Sequence, residues 1–261
     1  MSGGHQQNDI SRFYVGKVGI SSTTMAEMLA LIEEQSCRRS AAYICVANVE
    51  TTLLAQRDRG FCRIQNESLL TVPDGMPLIW YARIMGDKRG ERITGPDLLT
   101  EILKISCDCG YSHYFYGDTE ETLAGIAKKM HESYRGAEIR GMCSPPFRPL
   151  RDDEIDQTIA QINRLAPTFV WVGLGAPKQE RWMARVLPRI DRSILIGVGA
   201  AFRALNGQYK NPPRFVDACG LKGLFWRQPM PIRKRIRWYC IHVPAFGFLV
   251  LKGLARRVLA K

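Results

Sequence analysis

Three stretches of this chain set polar side chains where apolar runs end. PTFVWVGLG (167–175) reads as a buried strand, and in VGLGAPKQERW (172–182) Lys178, Gln179 and Glu180 fall on the first turn of the helix that follows. Gly173 and Gly175 let the backbone approach a ligand, and Pro177 suits a first helical position. Free N–H groups at such a helix start favour phosphate or another anion. Asn48 follows the apolar run AAYICVA, and Asp74 and Gly75 stand in PDG between SLLTVP and a helical pattern. Open α/β sheets bind ligands at the carboxyl ends of their strands, so Asn48, Asp74 and Gln179 are expected at one edge. An ordinary turn with a solvated Lys-Gln-Glu is the bland alternative.

A carboxylate displayed at Asp74 has the chemistry to take a proton from a substrate hydroxyl, although Asp-Gly also serves as a turn or helix cap. Arg92, in GERITGPDLL (90–99), can neutralise a departing diphosphate or pair with Glu91, Asp97 or a helix end; Thr94 is a further candidate. GVGAAF (197–202) and GLGAPK (173–178) lack the third glycine of G-x-G-x-x-G, and the acidic ribose-binding residue is missing, which disfavours a nicotinamide-dependent oxidoreductase. No D-x-D triplet occurs, so a metal-bound nucleotide diphosphate loses its commonest sign, and arginine and lysine can stabilise such a leaving group instead. Histidines 5, 113, 131 and 242 have no ligand-like spacing and Cys107 and Cys109 form only C-x-C; no metal and no cofactor is expected.

The elements that must position these residues alternate. RFYVGKVGI (12–20) reads as a strand, and SSTT offers caps for a helix from Met25. Strand and helix then pair at 41–47 with 50–57, 68–73 with 76–85, 112–116 with 119–133, 137–142 with 152–165, 167–174 with 177–187, and 193–198 with a short helix near 200–206. GPDLLTEILKI adds a helix after 95. The expected fold is α/β and Rossmann-like, a mainly parallel sheet with helices on both faces. NPPRF (211–215) marks the boundary between an α/β catalytic domain, 1–210, and a basic helical C-terminal appendage, 211–261.

A chain of 261 residues, 46% hydrophobic, can bury a substantial core, and its net charge of +12 calls for an anionic partner. That charge is local. Beyond Asp217 there is no acidic residue, while Lys222, Arg227, Arg233, Lys234, Arg235, Arg237, Lys252, Arg256, Arg257 and Lys261 are basic and are interleaved with Trp226, Trp238, Tyr239, Phe246 and Phe248. Basic and aromatic residues together fit a membrane interface, with a nucleic-acid surface the alternative. VPAFGFLVL (243–251) falls short of the roughly 20 residues that cross a bilayer and is interrupted by Pro244 and Gly247, so it is expected to lie on a membrane. The polar opening MSGGHQQND and eight cysteines without framework spacing point to a cytoplasmic protein with reduced thiols.

Taken in order, NVE (48–50), PDG (73–75), GERITGPDLL (90–99), GLGAPKQERW (173–182), GVGAAF (197–202) and the basic tail resemble the WecG/TagA/CpsF family of bacterial glycosyltransferases, from about residue 13 to about 240. The resemblance implies inverting, metal-independent transfer from a UDP-sugar to a polyprenyl-diphosphate-linked sugar at the inner face of the cytoplasmic membrane, in exopolysaccharide, O-antigen or related glycan synthesis. It implies Asp74 as general base, with Arg92 and Gln179 lining the donor pocket beside Asn48, Gly75, Thr94, Gly175, Lys178 and Gly199. Arg227, Arg233 and Arg235 are its candidates for the diphosphate and the membrane. Nucleic acid is not an implied partner, and a homo-oligomer stays open. Two departures bear on the donor: Val46 replaces the threonine, and Arg203 the aspartate, that relatives with N-acetylmannosamine donors often carry.

Overall fold

The computed structural model describes residues 10–208 and 231–259, apart from the side chains at 235 and 256. Its first element corrects the sequence reading. RFYVGKVGI is a hairpin of β1 (Arg12–Val15) and β2 (Val18–Ser21), paired antiparallel and turned at Gly16, whose φ of 63° suits glycine. It stands apart from the main sheet, and Ser21 Oγ receives the N–H of Thr71 at 3.1 Å. Thr24 caps α1 (Met25–Arg38) in a capping box with Glu27.

The main sheet comprises β3 (Ala42–Ala47), β4 (Leu70–Pro73), β5 (Ser112–Gly117), β6 (Glu138–Cys143), β7 (Phe169–Gly173) and β8 (Ile194–Gly197), in the order β4-β3-β8-β7-β5-β6 with every pairing parallel. AYICVA and FVWV are apolar throughout because a parallel strand is covered on both faces. The period of two sorts their side chains. Ile44, Val46, Phe115, Phe169, Trp171 and Ile196 pack with α1, α5 (Gly95–Cys109), α6 (Glu120–Ser133) and α9 (Ala201–Leu205). Cys45, Tyr114, Tyr116, Val170 and Leu195 pack with α7 (Asp152–Leu165) and α8 (Lys178–Val186). A third apolar cluster joins the hairpin to α2 (Val49–Arg57), α3 (Arg59–Glu67) and α4 (Met76–Ile84). The fold is the expected Rossmann-like α/β arrangement, and α3 is an addition to the sequence reading. β5 leads outward to β6 while β7 leads inward to β8, so the topology switches between them.

The tail differs from expectation. Ile232–Leu259, here α10, is one helix of 28 residues that continues through Pro244, and by length and composition it is long and apolar enough to cross a membrane. It nevertheless lies along the body. Trp238 Nε1 donates to Glu50 Oε2 at 3.0 Å, Phe246 is buried against Tyr81, and Arg257 Nη1 donates to the Ile84 carbonyl at 2.8 Å. Its other side exposes Ile236, Ile241, Val243, Phe248 and Leu251.

Candidate functional site

A series of backbone contacts draws the loops after four strands together. Asp74 N–H donates to the Ala47 carbonyl at 2.8 Å, which sets PDG beside Asn48. Ile93 N–H donates to the Pro73 carbonyl at 2.9 Å, so the segment carrying Arg92 runs alongside the end of β4. A Cβ at Gly95 would lie 3.0 Å from the Val198 carbonyl; the start of α5 therefore rests on the end of β8, and glycine is needed for the approach. Val198 N–H in turn bonds the Val172 carbonyl at 3.0 Å. Gln179 then packs on that loop, its Nε2 3.1 Å from where a Cβ of Gly197 would stand and its Oε1 3.5 Å from that of Gly199. The segments that carry Asn48, Asp74, Gly75, Arg92, Thr94, Gly175, Gln179 and Gly199 thus meet at the carboxyl edge of the sheet, and this edge is the candidate crevice.

Within the crevice the side chains differ in what they have left to offer. Asp74 and Arg92 are half-buried, so neither is sealed from solvent. Asn48 Oδ1 accepts the Thr51 N–H at 3.0 Å as the cap of α2, and its amide nitrogen makes no hydrogen bond among the described residues. Thr94 is buried, and its hydroxyl is spent on capping α5, accepting from Asp97 N–H at 3.2 Å and donating to Asp97 Oδ2 at 2.6 Å. Gly175 and Gly199 take left-handed φ values of 75° and 53°. Lys178 is exposed at the start of α8, and Pro177 sits one residue before the helix as its cap. Gln179 N–H bonds the Gly175 carbonyl at 3.0 Å, so this helix start offers an anion one free N–H group fewer than the sequence suggested.

The solvated Lys-Gln-Glu alternative fails for two of its three residues: Gln179 and Glu180 are 3% and 0% exposed. Gln179 Nε2 donates to Glu180 Oε1 at 3.0 Å, and the other oxygen of each side chain has no partner among the described residues. Burial pushes the Glu180 carboxyl up to about 7. Arg227 lies outside the described residues, as does the side chain of Arg235. Arg233 is exposed near the start of α10, and no hydrogen bond or ion pair among the described residues ties it to the crevice. The bond from Trp238 to Glu50 does bring this basic end of α10 within two residues of Asn48 along the chain.

The family model for glycosyl transferases of the WecG/TagA/CpsF family matches residues 13–259. The chain belongs to that family. It is similar to an N-acetylglucosaminyldiphosphoundecaprenol N-acetyl-beta-D-mannosaminyltransferase of Bacillus subtilis, 25% identical over 82% of this chain and 81% of the relative. A protein of the same description from Staphylococcus aureus is 23% identical over 90% and 91% of the two chains.

For this WecG/TagA/CpsF glycosyltransferase the structure adds residues that sequence reasoning passed over. Asp118 follows β5 with a φ of 58° and is buried. Arg203 reaches it with two bonds, Nε to Oδ2 at 2.9 Å and Nη2 to Oδ1 at 3.1 Å, while Thr119 N–H and the Thr122 hydroxyl bond Oδ1 as well. The arginine that departs from the family's aspartate is therefore held by a carboxylate 85 residues away, a pairing no local pattern announces. Val46, the other departure, lies in β3 with its side chain in the core. Glu180 was legible only as part of a polar helix start.

Proposed function

We propose that this crevice transfers a sugar from a UDP-sugar to a polyprenyl-diphosphate-linked saccharide, with inversion and without a metal ion, in the synthesis of a bacterial exopolysaccharide, O-antigen or related glycan. The observation that carries the reading is the convergence of the Asp74, Arg92 and Gln179 loops at one sheet edge in a member of a glycosyltransferase family. The similar proteins are described by transfer onto a diphosphoundecaprenol-linked sugar, which supports a lipid diphosphate as acceptor here.

Asp74 takes the proton of the acceptor hydroxyl as its oxygen bonds the anomeric carbon, and the bond from that carbon to the UDP oxygen breaks on the opposite face. One displacement inverts the centre and needs no covalent enzyme intermediate. Arg92, with Lys178 and the tail arginines, stabilises the charge that UDP carries away. Asn48, Gly75, Thr94, Gly175 and Gly199 shape the donor pocket around Gln179.

The tail works as a peripheral membrane element on the cytoplasmic face. Contacts from Trp238 to Arg257 hold α10 to the body over about 28 Å at 1.5 Å per residue, and insertion across a bilayer would break them. Its exposed apolar side enters the interface, and its basic residues meet anionic lipid. That apolar side also weighs against nucleic acid as the partner.

Purified protein supplied with a panel of UDP-sugars and short-chain prenyl-diphosphate mono- and disaccharides tests the reading. Acceptor-dependent UDP release that persists in chelator is expected. Failure to turn over any UDP-sugar, with salt-sensitive binding of DNA instead, would replace it with a nucleic-acid-binding reading.

A further inference from the structure

Glu180 is costly where it stands. It is wholly buried, no cation bonds it among the described residues, and there the Gln179 amide alone satisfies it. The nearby Arg181 turns outward to Asp58, and the remaining titratable neighbour is the buried Cys45 thiol of β3, itself pushed up by burial and by the Glu180 charge. An apolar side chain would fill this part of α8 without that desolvation. What a carboxyl supplies here is direction. A glutamine amide can present either its NH2 group or its oxygen to the same space. Above about pH 7 the Glu180 carboxyl has lost its proton and can only accept, which settles the choice, because the NH2 group must face it. With Nε2 committed to Glu180 Oε1, Gln179 Oε1 is turned to the side of Gly199, where it remains without a partner.

We propose that Glu180 is a positioning residue that locks the Gln179 amide with its oxygen toward Gly199, so that Gln179 accepts a hydrogen bond from a hydroxyl or N–H of the bound UDP-sugar. This rests on the reading of the crevice as the donor site. It also says what the donor brings: a proton-bearing group at this point, since phosphate oxygens have none to give. The glycines follow from the same arrangement, because a Cβ at Gly197 would press on the amide nitrogen and on Met183.

The test uses the full chain with Glu180→Leu, Glu180→Gln, Gln179→Leu and the double variant Gln179→Leu/Glu180→Leu, each assayed for the KM of the UDP-sugar it turns over and for melting temperature. Glu180→Leu is expected to raise KM about tenfold, the scale of one hydrogen bond, while melting no lower than the parent. Glu180→Gln keeps the shape of the side chain, but its amide can meet Gln179 with either end, so it is expected to raise KM as well, to no more than the Glu180→Leu value, which a simple packing role would not do. In the Gln179→Leu background, Glu180→Leu adds nothing further. The proposal is overturned if Gln179→Leu raises KM and Glu180→Leu does not, if Glu180→Gln leaves KM at the parental value, or if the two effects add. Unchanged KM in Gln179→Leu removes the donor-site reading of Gln179 itself, and the proposal with it.

Discussion

Asp118, after β5, and Glu180, after β7, are both buried carboxylates at the carboxyl edge of one sheet, but their surroundings are opposite in kind. Asp118 is met by the two-pronged guanidinium of Arg203, a backbone N–H and a hydroxyl, so the pair forms a closed network. Glu180 has a neighbouring amide alone among the described residues, and one of its oxygens is left over. A closed network holds α9 to the end of β5 and asks nothing of a ligand. An open one retains hydrogen-bonding capacity that only a visitor or water can use, and its Gln179 partner packs on Gly197 and Gly199, where the sugar donor is proposed to bind. Among buried polar groups, incompleteness points to function more directly than burial does.

Three outcomes break or sharpen this contrast. Arg203→Met strands the Asp118 carboxylate and is expected to cost about 3 kcal/mol or more in urea unfolding; a loss below about 1 kcal/mol would mean the pair is not a closed unit. Glu180→Gln acts in the other direction and depends on pH. The Glu180 carboxyl is raised from an ordinary 4.5 to about 7, so between those values the folded chain keeps a proton that the unfolded chain has released. Parent stability therefore falls as pH rises through this window, and the variant, which cannot ionise, escapes the fall. Its advantage over the parent grows by up to about 3 kcal/mol from pH 4.5 to pH 8, and a flat difference across that range would contradict the assignment. The smallest effect concerns the tail, where Phe246 is covered by the body and Phe248 is open. Replacing Phe248 and Leu251 by glutamate is expected to weaken partition onto anionic liposomes about tenfold without lowering the melting temperature, and equal partition would exclude that face from the membrane.

Most of the sheet was legible because covered parallel strands are uniformly apolar and the helices between them keep a 3.6-residue period. The exceptions have local causes. Gly16 and Lys17 turn the chain inside a run that reads as one strand, since a two-residue turn hardly interrupts apolar patterning. The helix α3 is only nine residues long and its apolar face holds just Phe61, Cys62 and the half-buried Ile64, too few turns for a helical period to stand out. Pro244 reads as a break, yet the tail continues through it as helix. At the crevice, Asn48 and Asp74 were visible as polar residues at strand ends, and Arg92 as a cation just ahead of a capped helix. The burial of Gln179 and Glu180 was not, because their polarity alone argues for solvent. The partnership of Asp118 and Arg203 belongs to tertiary structure, bringing together side chains from β5 and α9 that share no sequence neighbourhood.

The central claim, that the Asp74 carboxylate activates the acceptor hydroxyl at this crevice, is met most directly by Asp74→Asn. The variant keeps the size of the side chain and removes its basicity. Sugar transfer from the UDP-sugar to a prenyl-diphosphate-linked acceptor, measured in chelator on protein whose melting temperature matches the parent, is expected to fall about 100- to 10,000-fold. Transfer by the folded variant at the parental rate would contradict the account.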